Sequence, residues 1–131
     1  MCGICGLVLF DAGKSVDPGL VHQMTSTLTH RGPDAAGQWV NGNLGFGFRR
    51  LSIVDLSDRA NQPFKSAAGS VLVCNGEIYN ANRLREELVA RGHRFTSASD
   101  CETALHAYAE YGLSFVDHLD GMFALAIFDI P

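Results

Sequence analysis

The chain has 131 residues, 47% of them apolar and 18% charged, with a net charge of −4 at pH 7; one domain of this size buries about two-thirds of its unfolded surface without staples. The mildly acidic balance and the lack of a basic patch exclude nucleic acid as an expected partner, and no apolar run approaches the roughly 18 residues of a membrane span. No basic region precedes the first apolar residues, so no signal peptide is expected, and four unevenly spaced cysteines read as the reduced thiols of a cytoplasmic protein.

Residues 4–10 form a continuous apolar run and predict a buried strand. Residues 11–15 read as a turn. Asp17-Pro18 is a helix start, with Leu20, Val21, Met24 and Leu28 on one face up to Thr29. His30-Arg31-Gly32-Pro33-Asp34 is a loop. Asn41-Gly42-Asn43 joins residues 38–40 and 44–48 in a hairpin. Residues 49–55 continue as strand, then loop, and residues 57–63 are polar and without regular structure. A short buried strand spans 70–74, Asn75-Gly76 follows, and Glu77-Ile78-Tyr79 resumes. Asn80 or Asn82 caps a helix to about Arg91, which Gly92 closes. Phe95 lies in a short strand. Asp100 caps a helix over 101–111 that Gly112 closes, residues 113–119 form a short helix, and 122–130 a last buried strand. That strand has no following hairpin arm, so the sequence reads as a piece of something larger.

Chemistry centres first on Met1-Cys2-Gly3-Ile4-Cys5-Gly6. With Met1 removed, Cys2 carries a thiol and a free α-amine, groups that titrate near 8.5 and 8 in isolation. The amine can then take the thiol proton and later protonate a leaving group, with no histidine needed. The same letters contain C-x-x-C, but a redox pair normally opens a helix and this one enters a strand. Zinc would need a second pair, and Cys74 and Cys101 are single; Cys5 reads as a small core residue, and no metal is expected. Asn75-Gly76 offers a side-chain amide and a glycine N–H to a developing oxyanion, or else a second hairpin turn. Arg49 or Arg50 could grip a carboxylate and Asp100 an ammonium group; the same residues also read as a surface arginine pair and a helix cap. His22, His93, His106 and His118 read as surface or structural.

These positions, with His30-Arg31-Gly32-Pro33-Asp34, Arg50-Leu51-Ser52-Ile53-Val54-Asp55, Asn75-Gly76-Glu77-Ile78-Tyr79-Asn80, Ser99-Asp100-Cys101-Glu102 and Gly121-Met122-Phe123-Ala124, give the chain a resemblance. It resembles the N-terminal glutaminase domain of class II glutamine amidotransferases, which are N-terminal-nucleophile hydrolases, and within them the glutamine-dependent asparagine synthetase type. The resemblance implies an α+β fold, a four-layer αββα sandwich left incomplete at the C-terminus, with residues 1–131 a truncated glutaminase domain and the synthetase domain absent. It implies Cys2 as nucleophile and Asn75 and Gly76 as oxyanion hole. L-glutamine would be held by Arg50, Leu51, Ser52, Ile53, Val54, Asn75, Gly76, Glu77 and Asp100, with Arg31 and Gly32 in the loop lining the pocket. No cofactor is implied in this domain; ATP and magnesium belong to the synthetase domain expected in cis. The alternatives are a glutaminase that feeds another acceptor, such as a sugar phosphate or a specialised metabolite, and a truncated non-catalytic module that binds glutamine or pairs by its exposed edges, as in a homodimer.

Overall fold

The computed structural model describes residues 2–129. They divide into two compact units, residues 2–52 with 61–63 and residues 53–60 with 64–129. The α+β class is observed, with one three-stranded antiparallel sheet in each unit.

Unit 1 holds β1 (Gly3–Val8), α1 (Pro18–Thr27), β2 (Ala35–Asn41) and β3 (Leu44–Arg50), with sheet order β1-β3-β2. β1 is shorter than the apolar run. Its ladder runs from Gly3↔Arg49 to Val8↔Leu44, where the partner strand begins, and Phe10 beyond it is fully exposed. β2 and β3 form the expected hairpin, with Asn41 opposite Leu44. α1 starts as expected: the Asp17 carboxylate accepts the Gly19 N–H at 2.8 Å, and Pro18 fills the first turn. Its buried stripe is Val21 and Thr25, while Leu20 stays 42% exposed. The reason lies in β3. A Cβ at Gly45 would stand 2.7 Å from Val21, and one at Gly47 would stand 2.0 Å from Thr25 Oγ1 and 2.7 Å from Cys5 Sγ. Two glycines draw the helix so close that a threonine fits where a leucine would not. The Thr25 hydroxyl is satisfied by donating to Val21 O at 2.7 Å.

Gly47→Ala is therefore expected to destabilise the chain by about 2 kcal/mol through overpacking. Urea unfolding monitored at Trp39, the single tryptophan, checks it, and an unchanged midpoint would contradict this packing.

The opposite face of β3 buries Phe46, Phe48 and Arg50. Residues 61–63 return to this unit after 53–60 have left it. Asn61 Oδ1 accepts from Arg50 Nη1 at 2.9 Å, and the Gln62 carbonyl lies where a side chain on Gly37 would stand.

Unit 2 holds β4 (Phe64–Lys65), β5 (Val71–Ile78), α2 (Ala81–Ala90), α3 (Asp100–Tyr111) and β6 (Gly121–Phe128), with sheet order β4-β5-β6. Short 3-10 turns cover Asp58–Ala60, within the stretch expected to lack structure, and Gly112–His118. Leu72, Cys74 and Ile78 share one face of β5 and pack with Leu84, Leu88, Ala104 and Leu105 of the two helices. Each unit is thus a three-stranded antiparallel sheet with helical cover.

Three expectations are corrected here. β5 runs unbroken through Asn75-Gly76, paired with Ala124 and Phe123 of β6, so these residues form no turn. α3 begins at Asp100 itself, with Ser99 in the cap position, and the Asp100 carboxylate goes elsewhere. Phe95 is in no strand; the Arg85 guanidinium lies 4.0 Å from its ring centre and the His106 ring, tilted by 45°, is centred 4.1 Å away. Gly92 closes α2 as expected, with His93 N–H on Leu88 O and Gly92 N–H on Val89 O. The expected end of the last strand at Ile130 lies outside the described residues.

Candidate functional site

In unit 1, Cys2 stands one residue ahead of the first ladder pair, Gly3↔Arg49, so the sheet fixes its backbone. The Leu51 N–H points at Cys2 Sγ at 3.4 Å, and the thiol reaches Leu51 O at 3.7 Å. Arg31 Nε donates to the Cys2 carbonyl at 3.0 Å. The loop that supplies Arg31 is sewn to the end of β3. Arg49 Nε donates to Gly32 O at 2.7 Å, Asp34 N–H to Arg50 O at 3.0 Å, and Ser52 N–H to Asp34 Oδ2 at 2.7 Å. Gly32 has to be glycine, since a Cβ there would lie 2.4 Å from the Arg49 carbonyl carbon. The loop thus explains the motif His30-Arg31-Gly32-Pro33-Asp34 in mechanical terms.

The two neighbouring arginines differ. Arg49 is spent on the carbonyls of Gly32 and Pro33, whereas Arg50 is 5% exposed with a nitrogen on Asn61. The C-x-x-C pairing is absent. Cys5 Sγ turns to Thr25 Oγ1 at 3.6 Å while Cys2 Sγ turns to Leu51, and none of the four cysteines is in a disulfide. Among the described residues no group of three or more His, Cys, Asp or Glu is arranged to hold a metal ion.

In unit 2, Asn75 and Gly76 sit half-buried within β5, while Glu77 beyond them is exposed. Their backbone is tied to the start of α3. Asp100 Oδ2 accepts the Ile78 N–H at 2.7 Å, and Cys101 Sγ donates to Gly76 O at 3.9 Å. Ile53 and Val54 are exposed at 73% and 55%, and Leu51 and Ser52 belong to unit 1. Unit 1 therefore joins Cys2 to Leu51 and carries Arg50 and Ser52; unit 2 joins the Asn75–Ile78 stretch to Asp100 and carries Ile53 and Val54.

The strongest electrostatic feature was not foreseen. Glu102 is 3% exposed, and its two oxygens accept four hydrogen bonds at 2.6–2.8 Å, from the N–H and hydroxyl of Thr96 and of Ser97. His106 Nε2 lies 3.6 Å away. Burial pushes its carboxyl up, but the His106, Ser97 and Thr96 bonds together outweigh that and bring it down to about 2. Arg85 lies in the same cluster. Burial lowers its pKa from the ordinary value, against the pull of Glu102, Asp100 and Asp55. The signal for this cluster was a Thr-Ser pair followed five residues later by a glutamate one turn into a helix. Only the fold shows that the glutamate turns back onto the pair.

A family model described as a glutamine amidotransferase domain matches residues 1–130. An asparagine synthetase [glutamine-hydrolyzing] 3 from Bacillus subtilis is 41% identical over 132 residues, covering 98% of this chain and 21% of its own length. An amidase chry2 from Gibberella zeae is likewise 41% identical, over 142 residues, with the same coverage. An asparagine synthetase [glutamine-hydrolyzing] 1 from Arabidopsis thaliana is 36% identical over 129 residues. The chain spans about a fifth of the length of these relatives. Among solved structures, a glutamine phosphoribosylpyrophosphate amidotransferase from B. subtilis shares the fold with a TM-score of 0.79 at 21% identity, over 98% of this chain and 35% of that one.

Proposed function

The chain belongs to the glutamine amidotransferase domain family, and from that membership we propose that it hydrolyses the side-chain amide of L-glutamine with Cys2 as the nucleophile. The observation that carries the reading is the placement of Cys2 Sγ directly ahead of β1, held by the Leu51 backbone instead of hanging on a frayed tail. With Met1 removed, the α-amine of Cys2 takes the thiol proton through a bound water. Sγ attacks the amide carbon, a C–S bond forms, and the carbonyl electron pair moves to oxygen. The Asn75 side-chain amide and the Gly76 N–H donate to that oxyanion. The amine returns its proton to the leaving nitrogen, the C–N bond breaks, and ammonia departs from a γ-glutamyl thioester. Water then attacks the thioester and frees glutamate.

In this reading Arg50, with Leu51 and Ser52 beside it and the backbone of Ile53 and Val54, takes the substrate carboxylate. Asp100 and Glu77 take the ammonium group. No step passes through a metal or cofactor. The relatives named asparagine synthetase support passing the ammonia, in a longer protein, to a synthetase domain in cis; in this reading that protein is cytoplasmic, its synthetase domain uses aspartate, ATP and magnesium, and two copies pair. A second reading keeps the glutaminase and changes the acceptor. The amidase chry2 favours it, being as similar to this chain as the bacterial asparagine synthetase is.

The test is release of ammonia and glutamate from L-glutamine. Asn75→Ala is expected to lower kcat about 100-fold with little change in KM, the signature of a group that acts on the transition state. A folded, N-terminally processed wild-type chain that releases no ammonia overturns the reading.

A further inference from the structure

We propose that Asp55 is a positioning residue for the amino-acid substrate: it locks the Ile53-Val54 backbone to the loop that leads into Asp100. The proposal deepens the reading above and rests on it.

Asp55 has φ 54°, which no other non-glycine residue among the described residues shares in sign. A short polar side chain tolerates this left-handed conformation when it bonds locally. Asp55 does so, with Oδ1 accepting the Ser57 N–H at 2.9 Å and its hydroxyl at 2.7 Å. The local turn needs only that oxygen. The other, Oδ2, accepts the Ala98 N–H at 2.6 Å, from 43 residues away. Strain held by bonds on both sides is characteristic of a backbone whose exact path matters.

The loop it reaches is gripped from three directions. Glu102 takes Thr96 and Ser97, and Arg85 donates Nη1 to Ser97 O at 2.8 Å and Nη2 to Ser99 O at 2.7 Å. Asp55 supplies the third grip, at Ala98 between those two carbonyls. The next residue after Ser99 is Asp100, itself fixed on the Ile78 N–H. On the other side of Asp55, Ile53 and Val54 are large apolar residues left mostly in solvent, so burial does little to hold them. The side-chain bonds of Asp55 fix the residue that directly follows them.

The carboxylate and ammonium of an α-amino acid hang on one carbon. Groups that receive both ends must keep a fixed separation, and Asp55 spans the stretches that carry them. A substrate gripped at one end only has no need of that span. Asp55 thereby selects for α-amino acids without touching one.

Steady-state kinetics on the full chain test this with L-glutamine and with its α-deamino analogue, glutaramate, as probes. Asp55→Ala is expected to raise KM for L-glutamine about tenfold while kcat stays within about threefold, and to leave kcat/KM for glutaramate within about twofold. Asp55→Asn tolerates the left-handed backbone and keeps one oxygen for the Ser57 turn but faces the Ala98 N–H with an NH2 donor, so it is expected to raise KM for L-glutamine nearly as much as Asp55→Ala. Equal losses for both substrates, or an unchanged KM for L-glutamine, overturn the proposal. In a Cys2→Ala background, calorimetric binding of L-glutamine gives the same comparison without turnover. A wild-type chain that binds but does not hydrolyse sinks the reaction while Asp55 is still decided by binding: weakened about tenfold by Asp55→Ala supports it, unchanged overturns it.

Discussion

Cys2→Ala is expected to abolish release of ammonia from L-glutamine, with kcat falling at least about 10⁴-fold. The size of the loss follows from what remains. Cys5 turns its sulfur to Thr25 on α1, and Cys74 and Cys101 are buried in the core of unit 2, so no other thiol can take over. The fold should hardly notice. Cys2 is half-buried, and its sulfur makes only long contacts to the Leu51 backbone, so the thermal midpoint should move by no more than about 2 °C. Cys2→Ser should sit close to Cys2→Ala, because a hydroxyl is a far poorer nucleophile beside the same amine. A coupled glutamate assay and mass spectrometry of the N-terminus belong together here. A chain that keeps Met1, a residue outside those described, has an amide where the base should be and should be as inactive as Cys2→Ala. Turnover in Cys2→Ala equal to wild type would remove the nucleophile assignment.

Glu102→Ala is expected to cost about 4 kcal/mol of folding stability. The carboxylate is 3% exposed and satisfies four donors; deleting it removes four hydrogen bonds to a charged acceptor at once, from the N–H and hydroxyl of Thr96 and of Ser97, and leaves a void beside the core. A domain of this size holds about 5–15 kcal/mol in total, so this variant stands close to unfolding. The same group fixes a pH window. Its folded pKa of about 2 lies below the ordinary 4.5. The unfolded chain therefore binds the proton first as pH falls, and folding stability drops between about pH 5 and pH 2. Above that window the carboxylate contributes its full share, about 3 kcal/mol by linkage. Urea unfolding from pH 6 to pH 2 should show the decline in wild type and a flatter curve in Glu102→Gln. Parallel curves for the two proteins would refute the assignment.

The sequence was most legible where a residue and its immediate neighbours set its own placement. Cys2 before an apolar run, Asp17-Pro18 at the start of α1 and Gly92 at the end of α2 needed no knowledge of distant residues. The errors share a cause. β1 stops at Val8 because β3 starts at Leu44, and nothing in residues 4–10 records where a partner begins. α1 buries Thr25 in preference to Leu20 because Gly45 and Gly47, twenty residues on, let it come close. Asn75-Gly76 looked like a turn by composition. The period-two phase of Leu72, Cys74, Gly76 and Ile78 on one face was present in the letters and outweighs it. Phe95 has strand propensity but found a guanidinium instead. For the candidate site, the residue types that could carry the chemistry were readable and the backbone groups that hold them in place were not. The Leu51 N–H on Cys2 and the Ala98 N–H on Asp55 belong to groups that every residue except proline carries, so no letter announces them.

The return of residues 61–63 to unit 1 has a consequence for synthesis on the ribosome. The chain emerges from its N-terminus, so the first sheet is complete at Arg50 while Asn61 is still to come. Until some eleven further residues have been added, the Arg50 guanidinium lacks its Asn61 partner and the Gly37 strand lacks the Gln62 carbonyl against it. By then residues 53–60, which belong to the other unit, have already been made. No single cleavage point can part the two units, and the nascent chain must commit a segment of the second before it can finish the first.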